Sequence, residues 1–181
     1  MSTSVTPDLQ TAADVIDLAS RAVGKALRHL ASVGGPDKQQ VLAYDLAHAA
    51  SAVETARSLL DYGAKGTHEG LITCAYTADM VHDLMSKMLG REEVWGLEVG
   101  ALDSVRPFIT AYRDPDFVAS LADVSGPRHL DQDFEMVQDT FRSFAEKVIA
   151  PRAEHVHRFN EDVPEEIISG LAEIDRKSTR L

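Results

Sequence analysis

Apolar residues recur along most of this chain at intervals of three and four, the spacing that lines one face of an α-helix. In the first such segment Ile16, Ala19, Val23, Leu27 and Leu30 share a face. Thr6-Pro7-Asp8 supplies a cap, an early proline and an acid near the positive helix end, and Gly34-Gly35-Pro36 supplies the stop. A second helix is predicted from Asp37 to Tyr62, with Leu42, Leu46, Ala49, Val53, Ala56 and Leu60 as its stripe and Gly63 and Gly66 beyond its end. A third is predicted from a Thr67 cap to Leu89, with Leu71, Ala75, Ala78, His82, Met85 and Leu89 on one face and Gly90 as its stop. Three long amphipathic helices joined by short glycine turns predict an antiparallel bundle.

From Arg91 to Val124 the periodicity weakens. Pro107 interrupts the stretch from Asp103 to Tyr112, which predicts a short or bent helix, and Asp114-Pro115 caps another short helix through Leu121. Ser125-Gly126-Pro127-Arg128 is the clearest linker in the chain. After it, Asp131 and Asp133 load the first turn of a helix whose stripe is Phe134, Val137, Phe141, Phe144 and Val148. Pro151 is expected to kink or end that helix, and Val163-Pro164-Glu165-Glu166 starts the next one. No alternating strand pattern appears, so the expected fold class is all-α. The expected domains are 1–124, a helical N-terminal extension; 125–130, a linker; and 131–174, a second helical domain.

Composition changes this picture in one respect. Hydrophobic residues are 44% of the 181 but aromatics only 6%, so Ala, Leu and Val must fill the core. A formal net charge of -11 argues against a nucleic-acid surface, which needs clustered Lys and Arg. The single Cys74 excludes an internal disulfide and fits a reducing compartment. Met1 to Gln10 is polar, without the apolar core of a signal peptide, and no run approaches the ~20 apolar residues of a membrane span. The expected location is the cytoplasm.

Phe144-Ala145, Val148-Ile149-Ala150-Pro151 and Ala153, followed by Pro164, Ile167 and Leu171-Ala172-Glu173, stand in register with a known pattern. The stretch from Leu130 to Glu173 resembles the first two helices of the acyl-CoA dehydrogenases. There a helix ends in F-A-x-x-x-I-A-P-x-A, a short acidic turn follows, and a proline-initiated helix ends in L-A-E. The turn departs from the family: His155 and His157 stand where an Asp is common, and it is slightly longer. The resemblance implies that 131–174 is the truncated start of an acyl-CoA dehydrogenase N-terminal domain. It also implies flavin adenine dinucleotide as cofactor, and an acyl-CoA substrate and an electron acceptor as partners. Such enzymes are usually homo-oligomers. In the family the flavin takes a hydride from Cβ of the thioester while a glutamate removes the α proton. The resemblance stops before any position that matches those elements, so no catalytic or cofactor-binding residue is assigned.

A helical extension ahead of this point resembles the branch of the family that contains methylsuccinyl-CoA dehydrogenase. Within it, Gln40, Leu46-Ala47 and Glu54-x-Ala56-Arg57 resemble a degenerate copy of the family's C-terminal bundle helices; any Ala/Leu-rich bundle helix is the alternative. Beyond Glu173 the match breaks inside a helix. The run from Asp175 to Leu181 resembles a sequencing-adapter read-through and is expected to be a non-native tail, the alternative being a genuine basic terminus.

Two other patterns bear on chemistry. Asp45-x-x-His48 and Asp79-x-x-His82 each put a carboxylate and an imidazole at i and i+3, as di-iron bundles do with Glu-x-x-His. Against a metal-binding bundle, His48 points roughly 120° from its helix's apolar stripe, and both motifs carry Asp instead of Glu. No metal ligand is therefore assigned. Cys74 reads as a buried inert thiol, His155 and His157 as solvated loop residues, and Glu54, Arg57 and Asp61 as an exposed face with intrahelical pairs. Trp95 is placed to anchor the end of the bundle. A free-standing helical interaction module is the alternative to an enzyme fragment.

Overall fold

The computed structural model describes residues 5–178, and among them every regular element is helical, so the fold is all-α. The chain divides into two compact units, Met1–Gly126 and Pro127–Leu181.

The first unit is built on three long helices, α1 (Leu9–Ser32), α3 (Gln40–Gly63) and α4 (Thr67–Met88), which all pack on one another. A single turn, α2 (Gly35–Lys38), joins α1 to α3, so the glycine-proline stop also begins a helix. Asp8 caps α1: its Oδ1 accepts from the Thr11 amide at 2.9 Å and its Oδ2 from the Thr11 hydroxyl at 2.6 Å. The stripes of α1 and α3 bury Ile16, Ala19, Val23, Leu30, Leu42, Leu46, Ala49, Val53 and Ala56. Leu27 does not join them and is 44% exposed.

The face of α4 is rotated from the expected one. Gly70, Thr73, Cys74, Thr77, Ala78, Val81, Leu84 and Met88 point inward, while Leu89 is 76% exposed and Leu71, Ala75, His82 and Met85 are half-buried. That shift is one residue, roughly 100° around the helix. Small residues let α4 approach its neighbours closely: a Cβ on Gly70 would lie 2.8 Å from the Pro7 side chain, and one on Gly63 would lie 2.7 Å from Thr73 Oγ1. Thr73 tolerates burial because its hydroxyl bonds the carbonyls of Leu59 and Glu69, both at 2.9 Å.

The remainder of the unit closes one end. Trp95 is fully buried, and the next residue, Gly96, has φ +62°. A Cβ there would sit 2.5 Å from the His29 ring, so only glycine fits the turn against α1. Pro107 does not interrupt a helix. It lies in the first turn of α5 (Arg106–Tyr112), after a short 3₁₀ turn at Asp103–Val105, where its missing donor costs nothing. Asp114 caps α6 (Pro115–Ser120) by accepting from the amides of Asp116 and Phe117, both at 3.0 Å. Phe108, Tyr112 and Phe117 stack in sequence, with ring centroids 4.6 and 5.7 Å apart.

The second unit is a pair of helical arms. Asp131 caps α7 (Gln132–Phe144) through a 2.9 Å bond from the Phe134 amide. The regular helix ends at Phe144, ahead of Pro151 rather than at the proline itself. A π-helical turn over Ala145–Ile149 intervenes, closed by a bond from the Ala150 amide to the Ala145 carbonyl, and α8 (Ala150–Phe159) continues beyond it. The wide turn leaves Pro151 near the start of a fresh helical segment, where it owes no hydrogen bond. The chain reverses after α8, with Asn160 left-handed at φ +50°. It then re-enters α9 (Glu165–Ser178), where the Pro164 carbonyl accepts from the Ile167 amide at 2.9 Å. Residues 179–181 of the expected tail lie outside the described residues, while Asp175–Ser178 continue α9.

Candidate functional site

Two contacts join α9 to the earlier helices of the second unit. Arg152 makes one of them. Its Nη1 donates to the Val148 carbonyl at 2.8 Å, inside the stretch that the π-turn distorts. Its Nε lies 2.6 Å from Glu166 Oε1 on α9. Phe144 packs where α9 carries Gly170: a Cβ there would sit 2.5 Å from the ring. Ile167 is buried, but Ile168 is 52% exposed, and Phe141 and Phe144 are half-covered. A recess of about 400 Å³ opens between α8 and α9, walled by Ile149, Val156, Val163 and Ile167 with His157 and Asn160 beside them.

His155 and His157 are not loop residues; both lie in α8, because the π-turn carries the helix past Pro151. His155 stacks on Phe159 at 4.6 Å and lies 3.4 Å from the Glu161 carboxylate. The reversal falls at Asn160–Pro164 instead.

In the first unit, each carboxylate of the two Asp-x-x-His pairs is held by an arginine. Arg91 reaches Asp45 at 3.0 Å and Arg113 reaches Asp79 at 2.5 Å. His48 is exposed and stacks on Tyr44 at 4.5 Å, while His82 lines a recess of about 270 Å³ with Met85, Leu89 and Ile109. Among the described residues no three of His, Cys, Asp and Glu gather as a cation would require. Arg57 departs from the purely intrahelical expectation. It bridges to Asp17 on α1 at 3.0 Å and sits 3.8 Å from Glu54.

Cys74 is fully buried beside Tyr112 under the start of α1. Burial pushes its thiol up, so it carries little thiolate and is a poor nucleophile. Burial also pushes the Tyr112 phenol up to about 12, with Cys74 and Asp8 adding to the rise. The phenol donates to the Thr6 carbonyl at 2.8 Å and so ties the N-terminus to α5. These groups make a structural lock. Sequence reasoning found Cys74 but missed Tyr112 and Arg152. Arg152 had a local signal, since a proline within a helix upsets the carbonyls of the preceding turn.

No family model matches the chain, and no solved structure matches it. One curated protein shows similarity: (2S)-methylsuccinyl-CoA dehydrogenase of Cereibacter sphaeroides, 35% identical over 89 residues. The chain is similar to an acyl-CoA dehydrogenase. The match covers 44% of this chain and 16% of that protein, so the chain spans a small part of its relative's length. At 44% of 181 residues the match is longer than the second unit, Pro127–Leu181, and therefore includes residues of the first.

Among the described residues, the recesses do not offer a free arginine to a flavin dinucleotide. A dinucleotide needs basic side chains or free amides for its pyrophosphate. The arginines beside the recesses, Arg106, Arg113 and Arg152, are each paired with a carboxylate, from Asp103, Asp79 and Glu166. No step of flavin chemistry is assigned to them. Among the described residues no helix is long and apolar enough to cross a membrane.

Proposed function

We propose that this chain is the N-terminal part of a longer flavin-dependent acyl-CoA dehydrogenase. In this reading 1–124 is a helical extension, 125–130 a linker and 131–174 the start of the family's N-terminal domain, with 175–181 a non-native tail. The longer protein introduces the α,β double bond into an acyl-CoA thioester, with methylsuccinyl-CoA as the specific candidate. It holds flavin adenine dinucleotide, passes electrons to an acceptor, works in the cytoplasm and is a homo-oligomer. Its partners do not include nucleic acid.

The observation that carries this reading is the 89-residue similarity to (2S)-methylsuccinyl-CoA dehydrogenase, which is too long to be confined to the second unit. An extension shared with that relative favours its branch over the family at large. The motif from Phe144 to Glu173 adds support, since two contacts, Arg152 with Glu166 and Phe144 with Gly170, join its two helices.

The chain alone is then inactive. Residues 1–181, expressed and purified, are expected to carry no flavin absorbance and to leave acyl-CoA thioesters unchanged with an artificial electron acceptor. Flavin that co-purifies in stoichiometric amount contradicts the proposal.

A second reading, a free-standing helical interaction module, draws on the first unit. That unit closes its own core around Ile16, Leu46, Val81 and Trp95 while leaving Val41, Tyr44 and Leu89 exposed. Stable capture of a defined protein partner by the isolated chain favours this second reading.

A further inference from the structure

We draw no further inference here: the strongest candidate, the open recess between α8 and α9 walled by Ile149, Val156, Val163 and Ile167, is an apolar groove, and nothing in the structure shows what covers it.

Discussion

Asp8 holds two donors of Thr11, and those bonds draw its carboxyl below the ordinary 3.8. Replacing an N-cap acid by alanine costs about 1 kcal/mol, so Asp8→Ala is expected to lower the urea midpoint of unfolding. Because the folded carboxyl is depressed, its contribution is present above the ordinary value and is lost as pH falls through the folded one. The variant is therefore expected to converge on the parent in acid; an equal deficit at every pH argues against the cap. Tyr112 works in the opposite direction. Its phenol rises from 10.0 to about 12 in the folded state, so its contribution is complete below pH 10 and fades as pH climbs toward about 12. Thermal melts across that window are expected to show a loss of stability that Tyr112→Phe reduces. An unchanged slope in the variant contradicts the assignment. Cys74 is expected to alkylate at least about tenfold more slowly in the native chain than in urea, and equal rates contradict its burial. The start of α1 was legible because capping is local, but its cap residue was not: the sequence suggests Thr6 as the cap with Pro7 and Asp8 in the first turn, whereas Asp8 itself caps a helix that begins at Leu9. The Tyr112 bond to Thr6 crosses most of the first unit, and no spacing in the sequence announces it.

The α4 helix shows where hydrophobic patterning misleads. The largest apolar side chains, Leu71, Met85 and Leu89, suggest one face, but the bundle buries the next, made of Gly70, Cys74, Thr77, Val81 and Leu84, with Ala78 common to both. Close approach wins over side-chain size when neighbouring helices are also rich in alanine; the buried Thr73 hydroxyl is satisfied by the Leu59 and Glu69 carbonyls, whereas Thr77 Oγ1 is buried without a hydrogen-bond partner. Proline rules misled for a related reason: they describe regular helices. Pro151 survives within a continuous helical path because the π-turn at Ala145–Ile149 removes the clash. Gly96 gives the firmest test at this scale. Its left-handed backbone costs a side chain about 1 kcal/mol or more, and the added Cβ would strike His29 at 2.5 Å from Cγ and 2.6 Å from Cβ. The His29 Cβ is fixed to the α1 backbone and cannot swing aside. Gly96→Ala is therefore expected to destabilise the first unit by about 2 kcal/mol or more, read as a lower denaturation midpoint. An unchanged midpoint shows that the turn is free of α1.

At the scale of the molecule, the two units differ in how they are held. The first has a continuous core from Ala12 to Phe117, whereas in α7 and α8 no residue is buried and, among the described residues, α9 contributes only Ile167. Apolar burial is the main source of stability, and exposed ion pairs such as Arg152–Glu166 add about 0–1 kcal/mol each. Amides of α1, α3 and α4 are therefore expected to exchange with deuterium far more slowly than those of α7 to α9. Equal protection contradicts the difference. Phe134, Phe159 and Ile168 are exposed on the second unit. The all-α class was legible because helical period and turn chemistry agree over long segments. The chemistry was not, because the groups that pair here, such as Arg152 with Glu166 and Arg113 with Asp79, are far apart in sequence and follow no motif spacing. The central claim is that the chain belongs to a longer dehydrogenase, and resequencing the genomic locus downstream of Glu173 tests it most directly. The account predicts that the reading frame continues past Glu173 into the flavin-binding part of an acyl-CoA dehydrogenase, with Asp175 to Leu181 replaced. An authentic stop codon after Leu181 contradicts it.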